Sequence, residues 1–246
     1  MSETESLDQF LAGAQVDAAV FELRPDYRAL LLAVDGLQPG PSDATSEALL
    51  TAAEAAATEA LRETPVDQLP HVAAWREAYR AFGAKPQRTR NSLEALLRRA
   101  ESGLPRINRL TDVYNAISVL HGIPLGGEDL SRYASSPRLI RATGQERFDT
   151  IASGAEVIEH PDPGEVVWSD DLGVTCRRWN WRQGRRTQLT DDTTTAVFFL
   201  DALDPFTDEQ LIAVADDLVS NLSRLGPNVN TARRLITAGT DPAERN

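Results

Sequence analysis

The chain has 246 residues, a formal net charge of −12 and a hydrophobic fraction of 41%. This composition is enough for a folded core and excludes a chain that is disordered throughout. No run approaches the roughly 18 apolar residues of a membrane-spanning helix, and no signal segment opens the chain, so we expect a cytoplasmic protein without a membrane partner. Cys176 is the single cysteine, which excludes an internal disulfide.

The expected elements follow from apolar spacing, capping residues and Pro or Gly breaks. In the first half they are two strands and a turn over 18–37, a helix from Thr45 or Ser46 to Arg62, a helix over 68–81, a helix over 92–102 capped by Asn91 or Ser92, and a helix within 104–130 capped by Thr111 or Asp112. In the second half they are strands over 138–142, 147–151, 166–168, 174–181 and 196–200, a helix over 206–225 capped by Thr207, and a frayed end over 226–246. Helices flank a strand-rich middle without regular alternation, so we predict one α+β domain, residues 1–246, with a mixed sheet.

The positively charged residues are concentrated in two stretches. The first runs from Lys85 to Arg109 and holds seven of the 25 Lys and Arg residues. The second runs from Arg177 to Arg186 and holds five, with no acid among them. Arginine binds phosphate through paired hydrogen bonds, so these stretches predict phosphate contacts even though the net charge is unfavourable for RNA binding. Arg88 and Arg90 are expected either to form a solvated rim or to anchor phosphates.

The helix within 104–130 and the segment after it carry candidate ligand contacts. Asn108 and Asn115 lie two turns apart on one stripe, where they either cap and tether the helix or contact a ligand. Residues 124–129 contain two glycines and are predicted to form a turn that backbone can use to approach a ligand. Glu128 either holds this loop by hydrogen bonds or accepts the amino group of an aminoacyl ligand.

The stretch Arg177–Arg186 interleaves arginine with tryptophan. On a strand, Trp179 and Trp181 share one face, and Arg178, Asn180 and Arg182 share the other. The tryptophan face either packs in the core or stacks on a nucleobase, and the arginine face is either solvated or binds phosphate or carboxylate.

Motifs for common catalytic and cofactor sites are absent from the sequence. The three histidines lie in unrelated segments, and no GxSxG, HExxH, paired CxxC, GxxxxGK[ST] or GxGxxG pattern occurs. We therefore assign no catalytic residue, metal or cofactor, and expect Cys176 to be a buried, inert thiol.

Several segments in unbroken order over residues 80–203 resemble the B3/B4 domain of the phenylalanyl-tRNA synthetase β chain. They read INRLTDVYNAISVLHGIPLGGEDL, LIRATGQERFDTI, VVWSDDLGVT and TQLTDDTTTAVFFLDA, and their surroundings resemble freestanding B3/B4 proteins. The resemblance implies an α+β fold with a mixed sheet flanked by helices, tRNA as partner, and an aminoacyl pocket in which water hydrolyses the ester of mischarged tyrosyl-tRNA. The editing histidine of the family falls on Gly126, and the glutamate that reads the tyrosine hydroxyl falls near Arg185, so selectivity for tyrosine is not implied.

Three functions are compatible with these observations. The first is a tRNA-binding, trans-editing protein that binds and hydrolyses misacylated aminoacyl-tRNA. The second is a non-catalytic module for a small amino-acid-like ligand or a protein partner, and the third is an enzyme of unrelated chemistry on the same fold. No DNA partner is expected. The predicted substrate contacts are Asn108, Asn115, Gly126, Gly127, Glu128, Trp179, Asn180 and Arg182, and the predicted RNA contacts are Lys85, Arg88, Arg90, Arg178, Arg185 and Arg186.

Overall fold

The computed structural model describes residues 3–239. In chain order the elements are α1 (Glu3–Ala12), β1 (Gln15–Val16), α2 (Ala18–Leu23), β2 (Arg28–Asp35), α3 (Ala44–Ala60), α4 (Pro70–Ala81), α5 (Ser92–Arg99), α6 (Arg109–His121), β3 (Leu125–Asp129), β4 (Arg138–Arg141), β5 (Phe148–Ala152), β6 (Ala155–Glu159), β7 (Val166–Asp170), β8 (Gly173–Arg177), β9 (Arg182–Gln183), β10 (Ala196–Ala202), α7 (Asp208–Leu222) and β11 (Asn230–Ile236). The predicted α+β class is confirmed.

A four-stranded antiparallel sheet forms around β2 and β10, in the order β11-β2-β10-β3. Both central strands are apolar along most of their length and are buried on both faces. Such continuous apolar runs are stable only when each face is covered. Leu30, Leu32 and Val34 pack on one face with α6 and α7. Leu31 and Ala33 face the other way, toward a core rich in aromatic residues.

The second sheet is mixed and has the strand order β1-β4-β7-β8-β5-β6, with β9 paired to β8. The pairs β1–β4 and β5–β8 are parallel, and the remaining pairs are antiparallel. Trp168 on β7 and Cys176 on β8 share the aromatic core with Val197 and Phe199 of β10. The two sheets therefore meet through one core, which also includes Trp75 of α4.

Helices and strands with strong local signals are confirmed: α3, α4, α5, β4, β5, β7, β10 and α7. Asn91 caps α5 by accepting a hydrogen bond from the Glu94 amide at 2.9 Å. Thr207 caps α7, as predicted, and the Gln210 side chain accepts a hydrogen bond from the Thr207 amide in return. The helix within 104–130 is α6, but Asn108 caps it rather than Thr111 or Asp112.

The prediction of two strands over 18–37 is wrong in its first part. Ala18–Leu23 forms α2, and only the second half of the segment becomes a strand, β2. The sequence AAVFEL contains good helix formers, and Asp17 precedes it in the extended conformation typical of a helix N-cap. Apolar composition alone did not distinguish the helix from a strand.

The glycine-containing segment 124–129 is not a turn, because Leu125–Asp129 forms β3 and pairs with β10. Gly127 lies directly opposite Phe198, and a Cβ atom there would lie 2.7 Å from Cε1 of the Phe198 ring. The glycine is therefore required by close packing against an aromatic ring inside a sheet.

The predicted strand over 174–181 ends early, at Arg177. Arg178 and Trp179 both have positive φ angles, 47° and 66°, so the chain turns there. Consequently Trp179 and Trp181 do not share a strand face: Trp179 is fully buried in the aromatic core, and Trp181 is half-buried. Two consecutive non-glycine residues in this region indicate a locally strained backbone.

The predicted frayed end over 226–246 is corrected by β11, whose residues 230–236 pair with β2 along its whole length. Residues 240–246 lie outside the described part of the chain. Within residues 3–239, no helix combines the length and the apolar composition needed to cross a bilayer.

Candidate functional site

A pocket of about 280 Å³ lies where the two sheets approach α5 and α6. Its floor is formed by β3 and β10, and its walls come from β7, the 179–183 segment and the two helices. The pairing register of β3 with β10 places Gly126 opposite Phe199 and Glu128 opposite Val197. Side chains alternate along a strand, so Glu128, Phe199 and Asp201 lie on the same face of the sheet.

Asp201 is a buried carboxyl group at one end of this floor. It accepts a hydrogen bond from the Tyr27 hydroxyl at 2.6 Å and another from Nδ2 of Asn180 at 3.1 Å. Asn180 is held in turn by the Tyr79 hydroxyl, which donates to Oδ1 at 2.9 Å. Burial raises the pKa of Asp201 to about 6, and the bonds from Tyr27 and Asn180 only partly offset this.

Glu128 is the second buried carboxyl group and lies toward the other end. The Tyr133 hydroxyl donates to Oε2 of Glu128 at 2.5 Å. Burial raises the pKa of Glu128 to about 7, and hydrogen bonds from Tyr133, Thr187 and Thr175 counteract this only in part. Within the described residues, neither Glu128 nor Asp201 forms an ion pair.

Aromatic rings form most of the remaining surface. Trp168, Trp179 and Trp181 line the pocket with Phe199, and the Trp168 and Phe199 rings are 4.6 Å apart between centroids. The Arg178 guanidinium lies over the Trp181 ring, 4.6 Å from its centroid. Three buried polar atoms of lining residues, Nε1 of Trp168, Nε1 of Trp179 and Oγ of Ser92, have no hydrogen-bond partner among residues 3–239. Such atoms are available to a bound ligand.

Comparison with known proteins assigns the family. The family model of the B3/4 domain matches residues 74–224, more than half of the chain. This chain belongs to the B3/4 domain family. An N-terminal fragment of the phenylalanyl-tRNA synthetase β-subunit from Pyrococcus horikoshii is similar over 88% of this chain at 13% identity, with a TM-score of 0.44. The chain covers 49% of that fragment, about half its length. No curated protein matches the sequence.

Five of the predicted substrate contacts line the pocket of this B3/4 domain together: Asn115, Gly126, Glu128, Trp179 and Asn180. The pocket also contains residues that the sequence analysis missed, including Ser92, Tyr114, Trp168 and Asp201. A lone acid in an otherwise apolar buried strand is a signal that could have identified Asp201, because an unpaired buried carboxyl group is costly.

Three predicted substrate contacts lie elsewhere. Asn108 caps α6 by accepting a hydrogen bond from the Thr111 amide at 2.9 Å. A Cβ atom at Gly127 would lie on the opposite face of the sheet, against the Phe198 ring. Arg182 donates to Oγ1 of Thr150 at 2.7 Å and lies 3.4 Å from the Glu159 carboxylate.

The predicted RNA contacts divide into paired and unpaired groups. Arg178, Arg185 and Arg186 form ion pairs with acids of the same chain: Glu165, Asp149 with Glu156, and Asp170. Arg90 is 3.9 Å from Glu94. Lys85 and Arg88 are exposed, form no ion pair among the described residues, and line a separate polar cavity of about 420 Å³ with Arg178.

Potential nucleophiles and bases beside the carboxyl groups are held in unreactive states. Burial raises the pKa of the Cys176 thiol well above its usual value, so this pocket-lining group stays protonated. Burial lowers the pKa of His71 to about 4, and its ring contacts the Gly122 carbonyl at 2.8 Å outside the pocket. No group of three or more His, Cys, Asp or Glu side chains in the described part of the chain is arranged to hold a metal ion.

Proposed function

We propose that this B3/4 domain binds the aminoacyl end of a charged tRNA and hydrolyses the ester of a misacylated one. The observation that carries the proposal is an amino-acid-sized pocket with a buried carboxyl group, Glu128, whose pKa is raised to about 7. A carboxyl group with a pKa close to the working pH is suited to general-base catalysis. Family membership and the editing activity implied by the sequence resemblance support the same assignment.

The volume of the pocket supports an aminoacyl group rather than a whole nucleotide. At about 280 Å³ it lies at the lower end of small-molecule pockets. In this proposal the terminal adenosine of the tRNA stays outside the pocket, near Arg99, an exposed residue of the lining. Arg99 is exposed and forms no ion pair within the described residues, so its guanidinium is available to a phosphate.

The proposed reaction uses water as the nucleophile. Glu128 accepts a proton from a water molecule as the water oxygen adds to the ester carbonyl carbon. Asn115 and the unpartnered indole N–H of Trp168 donate hydrogen bonds to the oxyanion that forms. The bond to the ribose oxygen then breaks, and Glu128 returns the proton to that oxygen. An aminoacyl ester is already activated, so this arrangement needs no covalent intermediate.

The test is single-turnover deacylation of a panel of mischarged tRNAs by the protein and by Glu128→Gln. We expect one or more charged tRNAs to be hydrolysed, and the variant to be slower by about a hundredfold or more, the usual effect of removing a general base. Glu146→Gln is the matched control, because Glu146 lies in the 143–146 loop, where it binds Thr143 and Gly144 amides. No hydrolysis across the panel, or equal rates for the protein and Glu128→Gln, would overturn the proposal.

A non-catalytic module that binds a small amino-acid-like ligand is the second candidate. The ion pairs of Arg178, Arg185 and Arg186 favour it, because they leave few unpaired cations near the pocket for an RNA backbone. Binding of amino-acid amides without measurable binding of tRNA would select this function.

A further inference from the structure

The charge inside the pocket is not balanced by the protein. Glu128 and Asp201 are each about 99% buried, and both are held by neutral hydroxyl and amide groups. Arg186 lowers the pKa of Glu128 only weakly, less than burial raises it and less than the hydrogen bonds from Tyr133, Thr187 and Thr175 lower it. No arginine acts on Asp201. A buried carboxylate without a counter-charge is unfavourable, so a bound cation is stabilised at each position.

The neighbouring arginines cannot supply this balance without leaving other partners. Arg177 is bonded to Glu165 at 2.8 Å, and Arg182 to Thr150 and Glu159. The Arg185 guanidinium lies 3.1 Å from the Asp149 carboxylate, and the Arg186 guanidinium lies 2.6 Å from the Asp170 carboxylate. These four arginines are fixed by pairs outside the pocket. Arg99, the unpaired arginine of the lining, is exposed on α5, whereas Glu128 and Asp201 are buried.

The two carboxyl groups are too far apart for one cation. Glu128 lies opposite Val197, and Asp201 is four residues further along β10. Four residues of strand span about 13 Å. Phe199 forms an apolar floor midway between them, and Gly126 beside it carries no side chain that would fill the space. The ligand that matches this floor has a cationic group at each end and an apolar linker between them.

The aromatic walls fit the same ligand. Trp168, Trp179 and Trp181 line the pocket together with Phe199. Indole rings attract cations through their faces and pack well against methylene chains. A carboxylate side chain in the same place would lie close to the buried carboxyl groups of Glu128 and Asp201.

We infer that the pocket selects aminoacyl groups with a long cationic side chain, of the lysyl, ornithyl or arginyl type. This inference rests on the proposed function, which supplies the aminoacyl ester that the pocket would bind. The α-ammonium and the scissile ester lie near Glu128, and the side-chain cation lies near Asp201. The methylene chain crosses Phe199 between the tryptophan rings.

The test compares L-lysinamide with L-norleucinamide, which has the same carbon chain but no terminal amine. Both carry the α-ammonium group, and their amide stands for the ester of the charged tRNA. Binding is followed by calorimetry and by tryptophan fluorescence, since three of the four tryptophans line the pocket. We expect lysinamide to bind at least tenfold more tightly than norleucinamide.

Asp201→Asn keeps the shape of the side chain and removes its charge, so we expect it to reduce that tenfold preference to less than threefold. Asp217→Asn is the matched control, because Asp217 on α7 pairs with His121 at the end of α6 and does not line the pocket. The preference is expected to persist in this variant. The comparison of the two ligands on the unmodified protein decides the question even if Asp201→Asn does not fold. Equal or tighter binding of norleucinamide, or a preference that survives Asp201→Asn intact, would overturn the inference.

Deacylation distinguishes this inference from the proposed function. A lysinamide preference without hydrolysis of any charged tRNA supports the selectivity and overturns the catalytic proposal. Hydrolysis of neutral aminoacyl-tRNAs with no hydrolysis of lysyl-, ornithyl- or arginyl-tRNA supports catalysis and overturns the selectivity.

Discussion

At the scale of single residues, the pocket contains two buried carboxyl groups whose burial lowers the stability of the fold. Glu128 and Asp201 have raised pKa values because they are buried, and neither forms an ion pair within residues 3–239. Groups of this kind are common where a protein must bind or react, because the same burial that raises their free energy also tunes their proton affinity. Stability and function therefore oppose each other at these positions.

Glu128→Gln is expected to stabilise the protein at high pH. The pKa of Glu128 rises from 4.5 to about 7 on folding, so between these values the folded state binds more protons than the unfolded state. The stability contributed by protonated Glu128 is therefore present at low pH and is lost as the pH rises through about 7. Glutamine does not ionise, so the variant avoids this loss, which is on the order of 1–3 kcal/mol.

Urea unfolding of both proteins at pH 5 and pH 8 measures this effect. The advantage of the variant should be small at pH 5 and larger at pH 8. Glu146→Gln is the control with a pKa shift in the opposite direction. Burial raises the pKa of Glu146, but hydrogen bonds from Thr143 and Gly144 lower the pKa by more, so the net shift is downward. An advantage of Glu128→Gln that does not grow with pH would contradict the assigned ionisation.

At the scale of elements, α6 both closes the pocket and depends on its own cap. Tyr114 and Asn115 of this helix line the pocket. Asn108 caps the N-terminus of the helix by accepting a hydrogen bond from the Thr111 amide. The two asparagines, which share a stripe in the sequence, thus have separate roles. One fixes the start of the helix, and the other lines the pocket.

Asn108→Ala is expected to lower the stability by about 1 kcal/mol, the usual cost of losing a helix N-cap. Asn108→Ser should restore most of this, because serine also accepts a hydrogen bond from a first-turn amide. Urea unfolding measures the stability, and titration with lysinamide measures the pocket. A tenfold loss of affinity in the stable Asn108→Ser variant would place Asn108 in the site instead.

At the scale of the whole molecule, the arginine-rich stretch serves mainly to join parts of the fold. Arg185 links the 183–187 segment to β5 and β6, and Arg186 links it to the end of β7. A high density of arginine in sequence therefore does not translate into an exposed positive surface here. The exposed cations without ion pairs in the described region include Lys85, Arg88 and Arg99.

Under the proposed function, the salt dependence of tRNA binding should follow the exposure of each cationic side chain rather than the density of arginine in the sequence. The double variant Lys85→Ala, Arg88→Ala is expected to reduce the slope of log affinity against log salt by about 1.4–1.8, since each phosphate contact contributes about 0.7–0.9. Arg185→Ala is expected to leave the slope nearly unchanged, because Asp149 and Glu156 already neutralise this side chain. Filter binding over a range of salt measures both, and a larger effect of Arg185→Ala would refute the distinction.

Local and non-local signals explain which features the sequence predicted. Helices such as α5 and α7 were predicted because their caps and apolar spacing lie within a few residues. The strands β3 and β11 were missed, because each is defined by a partner far away in the chain. Likewise, the local sequence around Glu128 and Trp179 predicts them as ligand contacts. The lone acid Asp201 stands out in its apolar strand, but only the fold shows that it lines the same pocket as Glu128.

The position of β2 in the sheet has a consequence for synthesis on the ribosome. Its partners are β10 and β11, which begin at residues 196 and 230, so the apolar segment 28–35 emerges long before either can pair with it. At about 5–20 residues per second, this interval lasts on the order of ten to thirty seconds. During that time a run of six core residues is exposed on an incomplete chain. Fragments that stop before β10 are therefore expected to aggregate, and chaperones that hold nascent chains should bind this segment first.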